Sequence, residues 1–189
     1  MTASTQLPLI VCFGDSLTAG YQTPGPANAH EQETPYGHVL QECLGHRGRV
    51  EISGICGEVT GEMVLRFRGT VLDRKPQMVI ILGGTNDLGW NADPAEIMRN
   101  LVKMYESARA ASIVPVPVTV PSIRVDAGAD HPDAAAWLAG HIQRRQQLNR
   151  LIADYAGRKG LSYFDLFTAT ADPDSLMLAE PYSNDGLHL

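Results

Sequence analysis

PLIVCFGDSLTAG, residues 8–20, joins an apolar run directly to turn formers. Leu9–Phe13 has the composition of a strand buried on both faces of a parallel sheet. Gly14-Asp15-Ser16 makes a tight turn, and Leu17–Gly20 starts the next segment. The turn carries a hydroxyl to the C-terminal edge of the first strand, the edge where ligands bind in open α/β sheets. Ser16 then stands at or just before a helix N-terminus. There it either caps the helix or meets free N–H groups able to stabilise an oxyanion.

The same alternation continues along the chain. Tyr36–Leu44 carries an apolar stripe, Val50–Ile55 reads as a strand, and a helix follows from about Thr60 to Asp73 with Val64, Leu65, Val71 and Leu72 inward. Met78–Leu82 is the clearest strand. Gly83-Gly84 after it suggests close backbone packing or an unusual dihedral. Asp93-Pro94-Ala95-Glu96 is a helix start with cap, proline and glutamate in order. A fourth strand lies in 112–120, where Pro115 and Pro117 are awkward for a central position. A helix from about Ala134 to Gly157 has Arg145 on its inward stripe, where it snorkels or faces a polar site. Leu161–Leu166 is the fifth strand, and residues 21–35 and 121–133 are long loops. Repeated β-α units with helical crossovers predict an α/β domain: a mainly parallel sheet with helices on both faces.

The 189 residues suffice for one domain with a sizeable core. A net charge of −6, with no basic patch interleaved with aromatics, excludes nucleic acid as a partner. The N-terminal apolar run is too short for a signal peptide or a membrane span, so a cytoplasmic location without stable membrane insertion is expected. Cys12, Cys43 and Cys56 fit neither a zinc pattern nor a disulfide scaffold. Cys12 and Cys43 read as small buried hydrophobes. The six histidines form no metal motif. No cofactor is expected, and a homo-oligomer stays open.

Three strand ends now align on one edge: the first gives Ser16, the second Gly57, the third Asn86. Near the C-terminus, Asp185 and His188 are three apart and share a side of a helical turn. The acid can hold Nδ1–H while Nε2 faces the serine. Nucleophile, base, orienting acid and oxyanion donors are the parts acyl transfer requires.

These blocks resemble the GDSL, or SGNH, hydrolases, of the lysophospholipase-like or arylesterase-like kind. The first block matches as Phe13-Gly14-Asp15-Ser16-Leu17-Thr18-Ala19-Gly20, the second as Gly57, the third as Gly84-Thr85-Asn86-Asp87, and the last as Asp185-Gly186-Leu187-His188-Leu189. The resemblance implies a flavodoxin-like three-layer α/β/α fold with a five-stranded parallel sheet of order 2-1-3-4-5. It implies Ser16 as nucleophile, His188 as base and acid, and Asp185 as its orienter. The Ser16 and Gly57 N–H groups and the Asn86 amide would form the oxyanion hole. It also implies a small-molecule acyl ester as substrate. Thioesters, lysophospholipids and carbohydrate O-acetyl groups are alternatives within the family, and a phosphate- or flavin-mononucleotide-binding module is the alternative outside it. A catalytically silent member of the fold would not need the triad.

Two departures stand out. The asparagine usual before the second-block glycine is replaced by Ile52 and Ser53 nearby, and the chain stops at Leu189 without the family's usual C-terminal helix, so residues 1–189 read as a single hydrolase domain lacking that helix. Asp15 and Asp87 read as structural, and Cys56 as a passive wall. Trp90 lines the pocket or packs, and Arg124 pairs with an anionic substrate group or none. His30, His38 and His131 belong to the surface, with His131 also placed to touch substrate. The loops hold few bulky aliphatics, with Tyr21, Trp90, Ile123 and Val125 as the main exposed apolar candidates, which favours short- to medium-chain acyl groups in a partly wet pocket.

Overall fold

The computed structural model describes residues 7–25, 30–125 and 134–189. β1 (Leu9–Gly14) leads into a single helical turn, α1 (Ser16–Ala19). After β2 (Tyr21–Gln22), β3 (Gln32–Glu33) and α2 (Tyr36–Leu44) come β4 (Arg49–Gly54), α3 (Thr60–Thr70) and β5 (Met78–Leu82). α4 (Thr85–Gly89), α5 (Pro94–Ala110), β6 (Val114–Pro117), α6 (Ala134–Lys159) and α7 (Leu166–Thr170) complete the order.

β4, β1, β5 and β6 lie side by side in that order, all parallel. The central strands are covered on both faces, which is why β1 and β5 are apolar along their length rather than alternating. Phe13 meets Phe67 of α3 edge-on on one face, with ring centroids 5.2 Å apart. Gly37 of α2 lies over Cys12 and Ile52 on the other. α5 packs between α3 and α6. The result is an α/β/α sandwich with a continuous core.

The expected five-stranded sheet is corrected. A four-stranded sheet and a separate two-stranded antiparallel pair, β2 with β3, are present instead. Leu161–Leu166 joins the main sheet only through a parallel bridge between Phe164 and Val118. The physical reason lies in β6. Val114 and Val118 donate their N–H groups to Gln77 and Ile81 on the β5 side, so Pro115 and Pro117 occupy the positions whose donors would face a fifth strand. Proline has none to give. Pairing resumes only beyond them, where Thr119 N–H donates to Phe164 C=O and Phe164 N–H to Pro117 C=O. The prolines are accommodated because β6 is an edge strand.

Smaller expectations also change. Cys43 is exposed rather than buried. Leu65 points outward, and α3 buries Met63 and Phe67, followed by Val71, at four-residue spacing. The loop at 21–35 contains the β2–β3 pair. His131 and most of 121–133 lie outside the described residues.

Candidate active site

β1 ends at a turn whose cap is Asp15, not Ser16. Asp15 Oδ1 accepts from Leu17 N–H at 3.0 Å, and its carbonyl accepts from Thr18 and Ala19 N–H. This leaves the Ser16 hydroxyl free of capping, on the first residue of α1. Asp15 is wholly buried. Burial, reinforced by the nearby charge of Asp87, pushes its carboxyl up to about 7 against the Leu17 N–H and Arg145.

The C-terminal segment meets this turn. His188 Nε2 is 3.1 Å from Ser16 Oγ, and His188 Nδ1 is 2.7 Å from Asp185 Oδ2. Asp185 is itself fixed by donors: the Leu187 and His188 N–H groups at 2.8 Å and the Ser183 and Thr23 hydroxyls. Burial raises its carboxyl, but the His188 ring, the Thr23 hydroxyl and the backbone donors outweigh this and hold it well below the usual carboxylate range. Gly186 has φ +79°, and a Cβ there would stand 2.2 Å from the Arg124 carbonyl, so the approach of the two segments requires glycine. Tyr21 packs edge-to-face on the His188 ring, with centroids 4.7 Å apart. β2, the 121–125 segment and the tail thus position one imidazole together.

The remaining strand ends supply donors. Asn86, in α4 just after β5, donates one amide hydrogen to the Glu58 carbonyl at 2.9 Å, which orients the amide and leaves its second hydrogen free for another acceptor. Gly57 follows β4 with φ +78°. Among the described residues, neither the Ser16 nor the Gly57 N–H donates to another residue. Gly84 has φ +113°, and a Cβ on Gly83 would meet Met63 Sδ at 2.5 Å, so both features read from the paired glycines are present. Asp87 accepts from Thr60 N–H at 2.9 Å and Thr60 Oγ at 2.6 Å, tying α4 to the start of α3.

An ion pair absent from the sequence reading braces this edge. Arg66 of α3 donates through Nε and Nη2 to the Glu58 carboxylate, both at 2.6 Å. It also donates to Ser53 Oγ at 2.6 Å and to the Gly14 carbonyl at 3.0 Å, and its guanidinium lies 4.1 Å from the centroid of the Phe13 ring. Its one sequence signal is position: it falls between the inward Met63 and Phe67 on α3.

Beside Asn86 lies a cavity of about 360 Å³ lined by Thr85, Trp90, Trp137, His141, Arg145 and neighbouring residues. Trp90 stands at its rim, 81% exposed, and Ile123 contributes to its wall. The Arg124 guanidinium donates to the carbonyls of Leu178 and Ser183, tying the tail to its loop. Burial and then nearby carboxylates push the Cys56 thiol up, the opposite of activation. Among the described residues no group of three or more metal-ligating side chains could hold an ion, and no helix is long and apolar enough to cross a membrane.

Residues 12–189 match the model of the GDSL-like lipase/acylhydrolase family. A curated relative, the uncharacterised lipoprotein YqeF of Bacillus subtilis strain 168, is 31% identical over 132 residues, covering 65% of this chain and 52% of its own. The chain thus spans about half the length of that relative. A lipase/acylhydrolase from Enterococcus faecalis is 26% identical with a TM-score of 0.73, over 97% of this chain and 87% of that one. A GDSL-like lipase from Bacteroides thetaiotaomicron VPI-5482 is 23% identical with a TM-score of 0.73, over 95% and 78%. The lipoprotein relative overturns the expected cytoplasmic location, which rested on the composition of the first residues alone.

Proposed function

The chain belongs to the GDSL-like lipase/acylhydrolase family, and from that membership we propose that it is a serine hydrolase of short- to medium-chain carboxylic esters, working through an acyl-enzyme. One observation carries the reading: the hydrogen-bonded line from Ser16 Oγ to His188 Nε2 at 3.1 Å, and from His188 Nδ1 to Asp185 at 2.7 Å.

Ser16 Oγ attacks the ester carbonyl as its proton passes to His188 Nε2. The tetrahedral oxyanion takes hydrogen bonds from the Ser16 and Gly57 N–H groups and the free Asn86 amide hydrogen. His188 returns the proton to the alcohol as the C–O bond breaks. Water then attacks the acyl-serine, gives its proton to Nε2, and the acid leaves as Ser16 is reprotonated. Asp185, held ionised by its donors, fixes Nδ1–H and stabilises the imidazolium. We read the chain as one hydrolase domain because Ser16 and His188, near its two ends, meet in one site. A phosphate- or flavin-mononucleotide-binding module would leave Asn86 and His188 without roles.

A serine-directed phosphonate tests the assignment. It is expected to label Ser16 and abolish ester hydrolysis. Mass spectrometry that places the adduct on another residue of active protein would overturn it.

A further inference from the structure

Arg145 is 2% exposed, on the inward side of α6. Among the described residues, its one hydrogen bond is from Nη1 to the Pro121 carbonyl at 3.0 Å, and Nε has no partner. No carboxylate among the described residues lies within ion-pair distance of it. A buried cation without a contacting counter-charge is costly, and pairing with an anion relieves that cost. His141, one turn earlier and also 2% exposed, has both ring nitrogens unpartnered. The buried Thr85 hydroxyl is unpartnered too. These three side chains line the same cavity of about 360 Å³, whose wall includes Asn86.

We propose that this cavity is a carboxylate-binding subsite of the esterase, so that favoured substrates are esters carrying a carboxylate that reaches Arg145, with His141 and Thr85 as further donors. The proposal rests on the serine-hydrolase reading of the adjoining site. The ammonium of a choline-like ester, or a plain alkyl chain, would leave the guanidinium unpaired. A neutral sugar would suit the exposed Trp90 and Trp137 but not the buried cation. Burial, with the charges of Arg144 and Arg145, pushes the His141 imidazole down, so it sits neutral with one N–H to give. Among the described residues, Asp15 on the β1 turn is the carboxyl group whose charge acts on Arg145, against the like charge of Arg144. Its own carboxyl is pushed up to about 7, so it offsets the guanidinium only in part. Trp137 packs against the His141 ring, tilted by 47° with centroids 4.1 Å apart, and holds it at the cavity wall.

Matched ester pairs, followed by acid release, test the subsite in the intact chain. Monoethyl glutarate against ethyl butyrate places the carboxylate on the acyl side; 4-acetoxybutyrate against butyl acetate places it on the alcohol side. One carboxylate-bearing ester is expected to exceed its neutral partner in kcat/KM by roughly 10- to 100-fold, the range of a charge-assisted hydrogen bond. Arg145→Gln should erase that ratio. Because Arg145 is buried and its variant can fail to fold, inhibition of the unaltered enzyme is measured as well. Glutarate should compete with ethyl butyrate, and glutaramide should not. Neutral esters cleaved with Ser16 labelled, but with no carboxylate preference and no glutarate inhibition, would mean a merely water-filled cavity and overturn the subsite alone. No cleavage of any ester and no label on Ser16 would overturn both readings.

Discussion

Replacing Arg66 by Met removes the one side-chain partner that a buried carboxylate has among the described residues. The Glu58 side chain is 6% exposed, and Arg66 holds it with two hydrogen bonds of 2.6 Å. Breaking a buried pair by deleting one member costs about 3–5 kcal/mol, because the remaining charge keeps its desolvation penalty. An unfolding entropy of about 2.1 cal/mol/K per residue gives roughly 0.4 kcal/mol/K for a chain of this size, so the midpoint should fall by about 8–12 °C. The loss should shrink sharply when Glu58→Gln is already present, since no charge is then stranded. Activity is a second readout. Arg66 also grips the Gly14 carbonyl before the Ser16 turn, and the Glu58 backbone holds the Asn86 amide. Loosening both should lower kcat more than it raises KM, since a misplacement of about 1 Å costs on the order of 100-fold. Thermal melting of the four proteins in the cycle, with turnover measured well below every midpoint, gives both numbers. A loss under about 1 kcal/mol, or an equal loss in the Glu58→Gln background, would refute the reasoning.

Asn86→Ala should lower kcat by roughly 100- to 1000-fold with native circular dichroism, the cost of one oxyanion donor; unchanged turnover would remove Asn86 from the mechanism. Asp15 sets a pH dependence of stability. The folded carboxyl keeps its proton up to about 7, whereas the unfolded one loses it near pH 3.9. Between these values the native state binds more protons, so stability is full below about pH 4 and falls by about 4 kcal/mol as pH rises through 7. Asp15→Asn keeps the Leu17 cap acceptor without the charge, so the melting temperature of the variant relative to the parent should be higher at pH 8 than at pH 5; an identical difference at both would contradict the burial cost.

What could be read from the sequence was local. Leu9–Phe13 and Met78–Leu82 are apolar runs next to glycine turns, and such runs have few outcomes other than buried parallel strands. Ser16, Gly57 and Asn86 follow strand ends, so the sheet edge brings them together once the alternation is recognised. Asp185 and His188 carry their own spacing, and the structure sets their side chains 2.7 Å apart. What could not be read depends on pairs distant in sequence. The fifth strand failed because Pro115 and Pro117 put their missing donors on the outer side of β6, and which side they face depends on the register with β5. Arg66 and Glu58 look like ordinary surface charges until α3 is rotated by Met63 and Phe67 to turn Arg66 onto Phe13. Arg145 was legible as an inward cation on a helical stripe, but not what it lacks. Its want of a carboxylate partner shows only when α6, the β1 turn and α4 are assembled around one cavity. The helical period therefore located the cation, and tertiary packing gave it a chemical demand.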